Sequence, residues 1–482
     1  MIVKELRQGM RTRLFSSIFI VLQGVLALAL LASTFAIGSA SGAAGVGEAV
    51  SGLFWWILVI MLLLIMPQRG FSALWSEEKA RTLDLVLISR LTSWRIAFGK
   101  WAALVCQSAL LVTAVLPYIV LRYFLGGSNP IIDLAWVGIL FLLSCVFTAV
   151  AVGFSGHRFF LIRGAVSIGL ILFAFSLSGV LYGMYFDRGA LVFSDSASPW
   201  WSAAGALTLG VFASYYALDM GAALIAPAAE NHATRKRIAG LAMLAVLLAS
   251  LAFGADVDLV VPILCVVGVI VCLDAITETP NILPSILAPF ARKGVLGRVA
   301  GRFLCPGWHT GVLYMLLFVG ISLASIYQFV PAMRANDDIE SYAVLIGLIG
   351  SIIFPLALIQ LFFPRAPQIF AVYMLAQCSV ALYVLLVTIM AEATEHDTIY
   401  YFSSFLPLGL LLSHDAVSQL GRPFVLVGSA ATLASFIILV IRAIPIFNKS
   451  RQVERATLAR DSAPTDLAPG HPAEPEPAEV SP

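Results

Sequence analysis

Charged side chains are scarce in this chain of 482 residues, since 12% of them are Asp, Glu, Lys or Arg and 60% are hydrophobic. Soluble globular domains carry about 25% charged residues and about 45–50% apolar residues. So little charge cannot cover the surface of a soluble protein, which excludes a cytosolic enzyme. It also excludes a disordered chain, apart from the C-terminal end. The composition therefore predicts an integral membrane protein with many spans.

Motifs for metal, nucleotide or covalent chemistry are absent as well. The six cysteines form no C-x-x-C pair, and most lie in apolar runs, where they act as small hydrophobic residues. The sequence contains no H-E-x-x-H motif and no G-x-x-x-x-G-K-S/T phosphate loop. We therefore predict that the chain has no catalytic residue, no metal and no cofactor, is not an enzyme, and binds no nucleic acid.

Long apolar runs are what the sequence has in abundance. A bilayer core about 30 Å thick requires about 20 apolar helical residues per span. The predicted spans are 14–37, 50–66, 101–121, 134–154, 165–184, 203–225, 238–255, 258–276, 312–330, 342–362, 369–391 and 423–444. Because the backbone must satisfy its own hydrogen bonds in lipid, each span is expected to be a helix. The predicted fold class is an all-α polytopic membrane protein with about 12 transmembrane helices.

The distribution of basic residues predicts the orientation. With the N-terminus in the cytoplasm, 25 of the 29 Lys and Arg residues lie inside. The four outside are Arg122, Arg188, Arg334 and Arg422. The positive-inside rule therefore predicts that both termini lie in the cytoplasm. A thirteenth span at residues 399–413 would place the basic C-terminal end outside, and this segment is also short and contains Pro407. We interpret 399–413 as a re-entrant or interfacial helical segment on the outer face.

Span spacing indicates an internal duplication. The loops 67–100 and 277–311 each follow the second span of a group of six, and matching spans are 204 to 211 residues apart. This predicts two parallel six-helix halves, 14–225 and 226–445, although any twelve-span chain can also be divided in this way.

The two ends of the chain differ from the spans. Residues 1–13 are basic, with apolar positions at helical spacing, and they predict an interfacial amphipathic helix. Residues 446–482 form a predicted cytoplasmic tail, disordered from about 461, where Pro, Ala and Glu predominate and Lys and Arg are absent.

The first cytoplasmic loop carries the most specific pattern. Residues 76–88 are S-E-E-K-A-R-T-L-D-L-V-L-I, and residues 94–100 are W-R-I-A-F-G-K. This resembles the type-2 ABC (ATP-binding cassette) permeases, membrane subunits of ATP-driven exporters, which have E-K/R-x-x-G-T-L-E/D-L-L after the second span and I-x-x-G-K at the start of the third. The matching residues are Glu78, Lys79, Thr82, Leu83, Asp84, Leu85, Ile96, Gly99 and Lys100. The sequence departs from the family at Arg81, where Gly is usual, and at Ser89-Arg90, where Thr-Pro is common.

Two further segments are similar to those of the family, namely Glu5-Leu6-Arg7 in its opening helix and 399–413 in its re-entrant pair. The resemblance implies that residues 77–89 form a coupling helix, which docks on separate ABC ATPase subunits and drives alternating access. It also implies a bacterial inner membrane and an exported substrate that the sequence does not identify. The resemblance is best over 1–225, since loop 277–311 lacks the T-L-E/D-L signature.

Two acidic residues, Asp219 and Asp274, fall within predicted spans. Intramembrane acids are candidates for a transport role because each is costly to insert. Both also lie near cytoplasmic ends, where pairing with Arg163, Lys236 or Arg237 is the structural alternative. Two other functions stay open: an intramembrane lipid-linked transferase, with acids of the outer loops binding a metal, and a non-transporting membrane assembly protein.

Overall fold

The structure is a computed structural model. It describes residues 2–38, 43–75, 79, 92–124, 129–186, 199–227, 229–329, 339–364, 366, 368–394, 396–412 and 421–462. Within these ranges every regular element is a helix and no strand occurs, which confirms the all-α polytopic class.

Fifteen helices organise the described chain. They are α1 (Ile2–Met10), α2 (Arg13–Gly38), α3 (Ala43–Val59), α4 (Ser93–Phe124), α5 (Pro130–Phe154), α6 (Phe160–Phe186), α7 (Pro199–Ile225), α8 (His232–Ala252), α9 (Val257–Thr277), α10 (Pro284–Ala291), α11 (Gly294–Leu304), α12 (Trp308–Phe329), α13 (Ile339–Phe362), α14 (Ile369–Thr394) and α15 (Arg422–Ser462). The α3 helix continues through a π-helical turn, Ile60–Ile65, and ends in a 3-10 turn, Arg69–Ser72. Further short turns follow α14.

Eleven of the described helices are long and apolar enough to cross a membrane. Each of the eleven coincides closely with one of the predicted spans. The predicted span without a counterpart is 238–255, because its helix α8 carries the basic triplet 235–237 in its first two turns and is not among the eleven. The count of twelve therefore stays a prediction.

Two large apolar cores divide the molecule along the chain. One is built from α2 to α6, from Phe15 to Ala174. The other is built from α7 to α9 and α12 to α15, from Tyr216 to Ala443. The change from one core to the other falls in α7, close to the predicted boundary at 225.

Helix α7 holds the two cores together because it also packs closely on α5. A Cβ atom placed on Gly153 of α5 would lie 2.2 Å from the carbonyl oxygen of Ala217, and one on Gly221 would lie 2.8 Å from the Cα atom of Gly153. Such close contact between backbones requires small residues at the crossing.

The segment before the last helix, and the end of that helix, differ from the predicted spans. Residues 397–412 fold as short turns, Asp397–Tyr400, Tyr401–Ser404 and Gly409–Leu412, rather than as one continuous helix. The last helix continues past the predicted span 423–444 as far as Ser462, so the predicted tail begins helically. The remainder of the tail lies outside the described residues.

Candidate functional site

Most of the predicted coupling segment lies outside the described residues. This applies to Glu78, Thr82, Leu83, Asp84 and Leu85. Of the other predicted residues, Lys79 is exposed, whereas Gly99 and Lys100 are buried in the first two turns of α4. The structure thus describes where the predicted loop joins the helix bundle.

Lys100 joins α4 to the N-terminal helix. Its Nζ atom lies 3.6 Å from the Oε2 atom of Glu5, and the Lys100 side chain is 7% exposed. Helix α1 packs closely here, because a Cβ atom on Gly9 would collide with the side chain of Gln107. A cavity of about 720 Å³ lies beside this contact and is lined in part by Glu5, Gln68 and Lys100.

Asp219 and Asp274 are both bound to basic side chains near the start of α8. Asp219 is fully buried in α7, and its Oδ1 atom accepts hydrogen bonds from Arg235 and lies 2.8 Å from His232 Nδ1. Asp274 in α9 lies 2.6 Å from Lys236 Nζ and accepts a 2.9 Å hydrogen bond from Tyr216. Pairing with Lys236 was one of the predicted alternatives, and Asp274 forms this ion pair in the structure.

The other two predicted partners are placed differently. Arg237 pairs with Glu278, at 2.7 Å, rather than with either aspartate. The guanidinium of Arg163 lies over the ring of Trp75, 4.1 Å from its centroid. Of the three alternative partners, only Lys236 is therefore paired with one of these aspartates, because other groups lie closer to Arg163 and Arg237 once the helices pack.

Arg237 is the most extensively bonded of these charges and is 2% exposed. It donates to the carbonyl oxygens of Phe303 at 2.8 Å and Cys305 at 2.7 Å, and to the hydroxyl of Thr310 at 3.0 Å. It also donates to the carbonyls of Ala275 and Gly307. One guanidinium therefore fixes the ends of α9 and α11 and the start of α12.

A chain of hydrogen bonds leads from this network to the start of α4. The hydroxyl of Ser93, the first residue of α4, donates to Glu230, whose Oε2 atom is 3.0 Å from His232 Nε2. Burial alone would raise the pKa of Glu230, but hydrogen bonds from Ser93 and His232 lower it below its ordinary value. The carboxylate of Glu230 thus links the first residue of α4, within loop 67–100, to α7 and α8.

A polar cavity of about 470 Å³ adjoins the network and is lined by residues of both halves, among them His157, Glu230, Lys236, Glu278 and Gln368. His157 is stacked between Phe154 and Phe370, with ring centroids 5.7 and 5.2 Å away. Burial, together with the charge of Arg163, lowers the pKa of His157 to about 4, so the ring is neutral at pH 7. Its Nε2 atom has no hydrogen-bond partner among the described residues.

No group of three or more His, Cys, Asp or Glu side chains is placed to hold a metal ion in the part of the chain that the structure describes. The cavity offers a neutral imidazole and several charges that are already paired. Its volume and its polar lining are suited to a small polar group.

A second buried cluster was missed by sequence reasoning. Arg122, predicted to face the outside, is 4% exposed, lies 3.4 Å from Asp133, and donates to Ser51 and Tyr185. Its guanidinium also stacks on Phe54. The sequence did contain a signal, namely an Arg and an Asp in apolar segments. Placing a charged side chain in a membrane is costly unless it is paired with an opposite charge.

Comparisons with protein-family models, with curated proteins and with solved structures found no match. The fold, with its eleven long apolar helices among the described residues, defines the chain as a multi-pass α-helical membrane protein. Any finer assignment depends on the motif of loop 67–100 and on the contacts around it.

Proposed function

We propose that this chain is the transmembrane permease subunit of an ATP-driven exporter of the type-2 ABC class, acting with separate ATPase subunits in a bacterial inner membrane. The observation that carries the proposal is the ion pair between Glu5 and Lys100. Both residues belong to sequence stretches that resemble the family, and these stretches are far apart in the chain. Their contact supports the view that the two resemblances belong to one structural unit.

The buried network supports a route for coupling. Movement of the loop before α4 displaces Ser93, and Ser93 is bonded to Glu230 and through it to His232 and Asp219. These groups belong to α4, α7 and α8, so a displacement of the loop reaches the contact between the halves. In the proposed cycle, ATP-driven closure of the partner subunits moves these helices and opens the path outward. The chain itself performs no covalent chemistry.

The proposal is tested by asking what copurifies with the chain. The tagged protein is purified from its native membranes in mild detergent, and copurified proteins are identified by mass spectrometry. The expected result is a stoichiometric protein with a G-x-x-x-x-G-K-S/T sequence. Charge reversal at Glu78→Lys and Asp84→Lys should abolish this copurification, since both residues lie in the predicted coupling helix.

The matched control reverses two charges elsewhere in the chain. Asp466→Lys and Glu474→Lys lie in the predicted tail and change the net charge equally. This variant should retain the ATPase. Copurification that is unaffected by Glu78→Lys and Asp84→Lys would refute the coupling assignment. The absence of any phosphate-loop ATPase would favour the transferase or assembly function instead.

A further inference from the structure

Helix α11 exposes an apolar face that no described part of the chain covers. Val295, Leu296 and Val299 are 69%, 84% and 53% exposed. They lie on one side of the helix, together with the partly exposed Phe303, because their spacing follows the helical period. Three large apolar side chains exposed on an 11-residue helix require an apolar surrounding.

The opposite face of α11 is fixed against α10, so the apolar side chains cannot turn inward. A Cβ atom on Gly297 would lie 2.3 Å from the carbonyl oxygen of Phe290. A Cβ atom on Gly301 would lie 3.2 Å from the Cβ atom of the same phenylalanine. The two glycines therefore seat α11 on α10 in one orientation.

The depth of α11 is set by the buried network. Arg237 binds the carbonyls of Phe303 and Cys305, and the hydroxyl of Thr234 donates to the carbonyl of Leu304 at 2.9 Å. Two candidate spans end at the same level, since α9 ends at Thr277 and α12 begins at Trp308. The helix is thus held where spans leave the apolar core, which is the level of lipid headgroups.

The exposed charged side chains of α11 and of the residue before it are basic, and the nearby acid, Glu454, lies on the other side, in a small cavity with Gly301 and Arg302. The residues that surround its apolar face include Lys293 and Arg298, both exposed, and Arg302. The sequence has no Asp or Glu from residue 279 to residue 336. An amphipathic helix with basic residues beside an apolar face is the form that binds an anionic membrane surface.

We infer that α11 lies in the membrane interface, with Val295, Leu296 and Val299 inserted between lipids and Lys293 and Arg298 bound to anionic phospholipid headgroups. Lipid is the favoured occupant because the face lies at the ends of two candidate spans, where its basic residues meet the anionic surface of a membrane. The inference does not depend on an ATPase. It requires only the chain and a bilayer.

The test uses the intact protein in vesicles, with a genetically encoded fluorescent amino acid replacing Leu296. This avoids the six native cysteines. Quenching is measured with spin-labelled phosphatidylglycerol or spin-labelled phosphatidylcholine. The same probe at Leu382 of α14, a 58% exposed position within a candidate span, reports full lipid contact. The probe at Leu458, about 20 Å beyond the predicted end of the α15 span, reports water.

The expected result is quenching at position 296 close to that at 382, with stronger quenching by the anionic lipid. Lys293→Gln and Arg298→Gln should each reduce this anionic preference about fivefold. The paired substitutions Lys449→Gln and Arg455→Gln, exposed positions on α15, should leave it unchanged. In the protein with native Lys293 and Arg298, a higher salt concentration should also weaken the preference for anionic lipid, because salt screens the attraction between the charges. This measurement tests the inference without a substitution that could alter the fold.

Two outcomes would overturn the inference. Quenching at position 296 as low as at 458 would place the apolar face in water. Equal quenching by the two lipids, insensitive to salt and to Lys293→Gln, would remove the headgroup site.

Discussion

Replacing Arg237 by alanine should destabilise the protein more than any exposed arginine can. Arg237 is 2% exposed and donates to Glu278, to Thr310 and to four backbone carbonyls. Its removal takes one of two basic partners from the Glu278 carboxylate and removes the Arg237 donor from the carbonyls of Phe303 and Ala275. The perturbation therefore acts at the junction of α8, α9, α11 and α12.

The magnitude follows from what remains bonded. Glu278 keeps Lys236 at 3.0 Å, and Thr310 still donates to the carbonyls of Cys305 and Gly307 at 2.6 and 2.8 Å. Removing one member of a buried ion pair costs about 3–5 kcal/mol, and each orphaned buried polar group costs about 1–3 kcal/mol. Since part of the network survives, we expect a loss of about 3–5 kcal/mol in the free energy of unfolding.

The assay is equilibrium unfolding by SDS in mixed micelles, followed by helical circular dichroism. Arg455→Ala, an exposed position on α15, is the matched control and should change the free energy by less than about 0.5 kcal/mol. Arg237→Lys should fall between the two, because it keeps the charge but loses the fork of donors. A loss for Arg237→Ala no larger than for the control would refute the reasoning.

Three further perturbations follow from the described contacts. Gly153→Ala places a methyl group 2.2 Å from a carbonyl of α7 and should cost about 1–3 kcal/mol by the same assay, whereas Gly138→Ala on the same helix has open space and should be neutral or slightly stabilising. The pKa of His157 is lowered to about 4, so its contribution to stability is complete above about pH 6.5 and is lost as pH falls toward 4. Between pH 7 and 4.5 the free energy of unfolding of the parent should therefore fall by on the order of 2 kcal/mol more than that of His157→Phe, which has no imidazole to protonate. The same pH dependence for both proteins would contradict this. Charge reversal of one partner, by Glu5→Lys or Lys100→Glu, should loosen the N-terminal helix and increase its proteolysis. The double reversal restores the 3.6 Å ion pair with its charges exchanged and should restore protection. Continued proteolysis of the double variant would contradict a role for this pair.

The helices were predictable because burial in lipid requires only length and apolarity. A helical run of about 20 apolar residues is stable in a bilayer whatever its neighbours, so each run is visible without tertiary information. The predicted span 134–154, for example, lies within α5, Pro130–Phe154. The broken outer segment was signalled by its short length and by Pro407.

Side-chain partners were not predictable in the same way, because they depend on which helix faces meet. Lys236 was a candidate partner of Asp274 from its position near a span end, and it lies 2.6 Å away. The pairing of Arg122 with Asp133 required knowledge that α4 and α5 pack at that level. Glu230 and His232 have no sequence pattern of their own, and only the fold brings them to Asp219.

The most direct test of the proposed permease function is the rate of ATP hydrolysis by the copurified ATPase in lipid nanodiscs, with and without this chain. The account predicts that the chain raises the rate and that Glu78→Lys with Asp84→Lys returns it to the rate of the ATPase alone. A rate that is the same with the native chain, the variant or no chain would contradict coupling through residues 77–89.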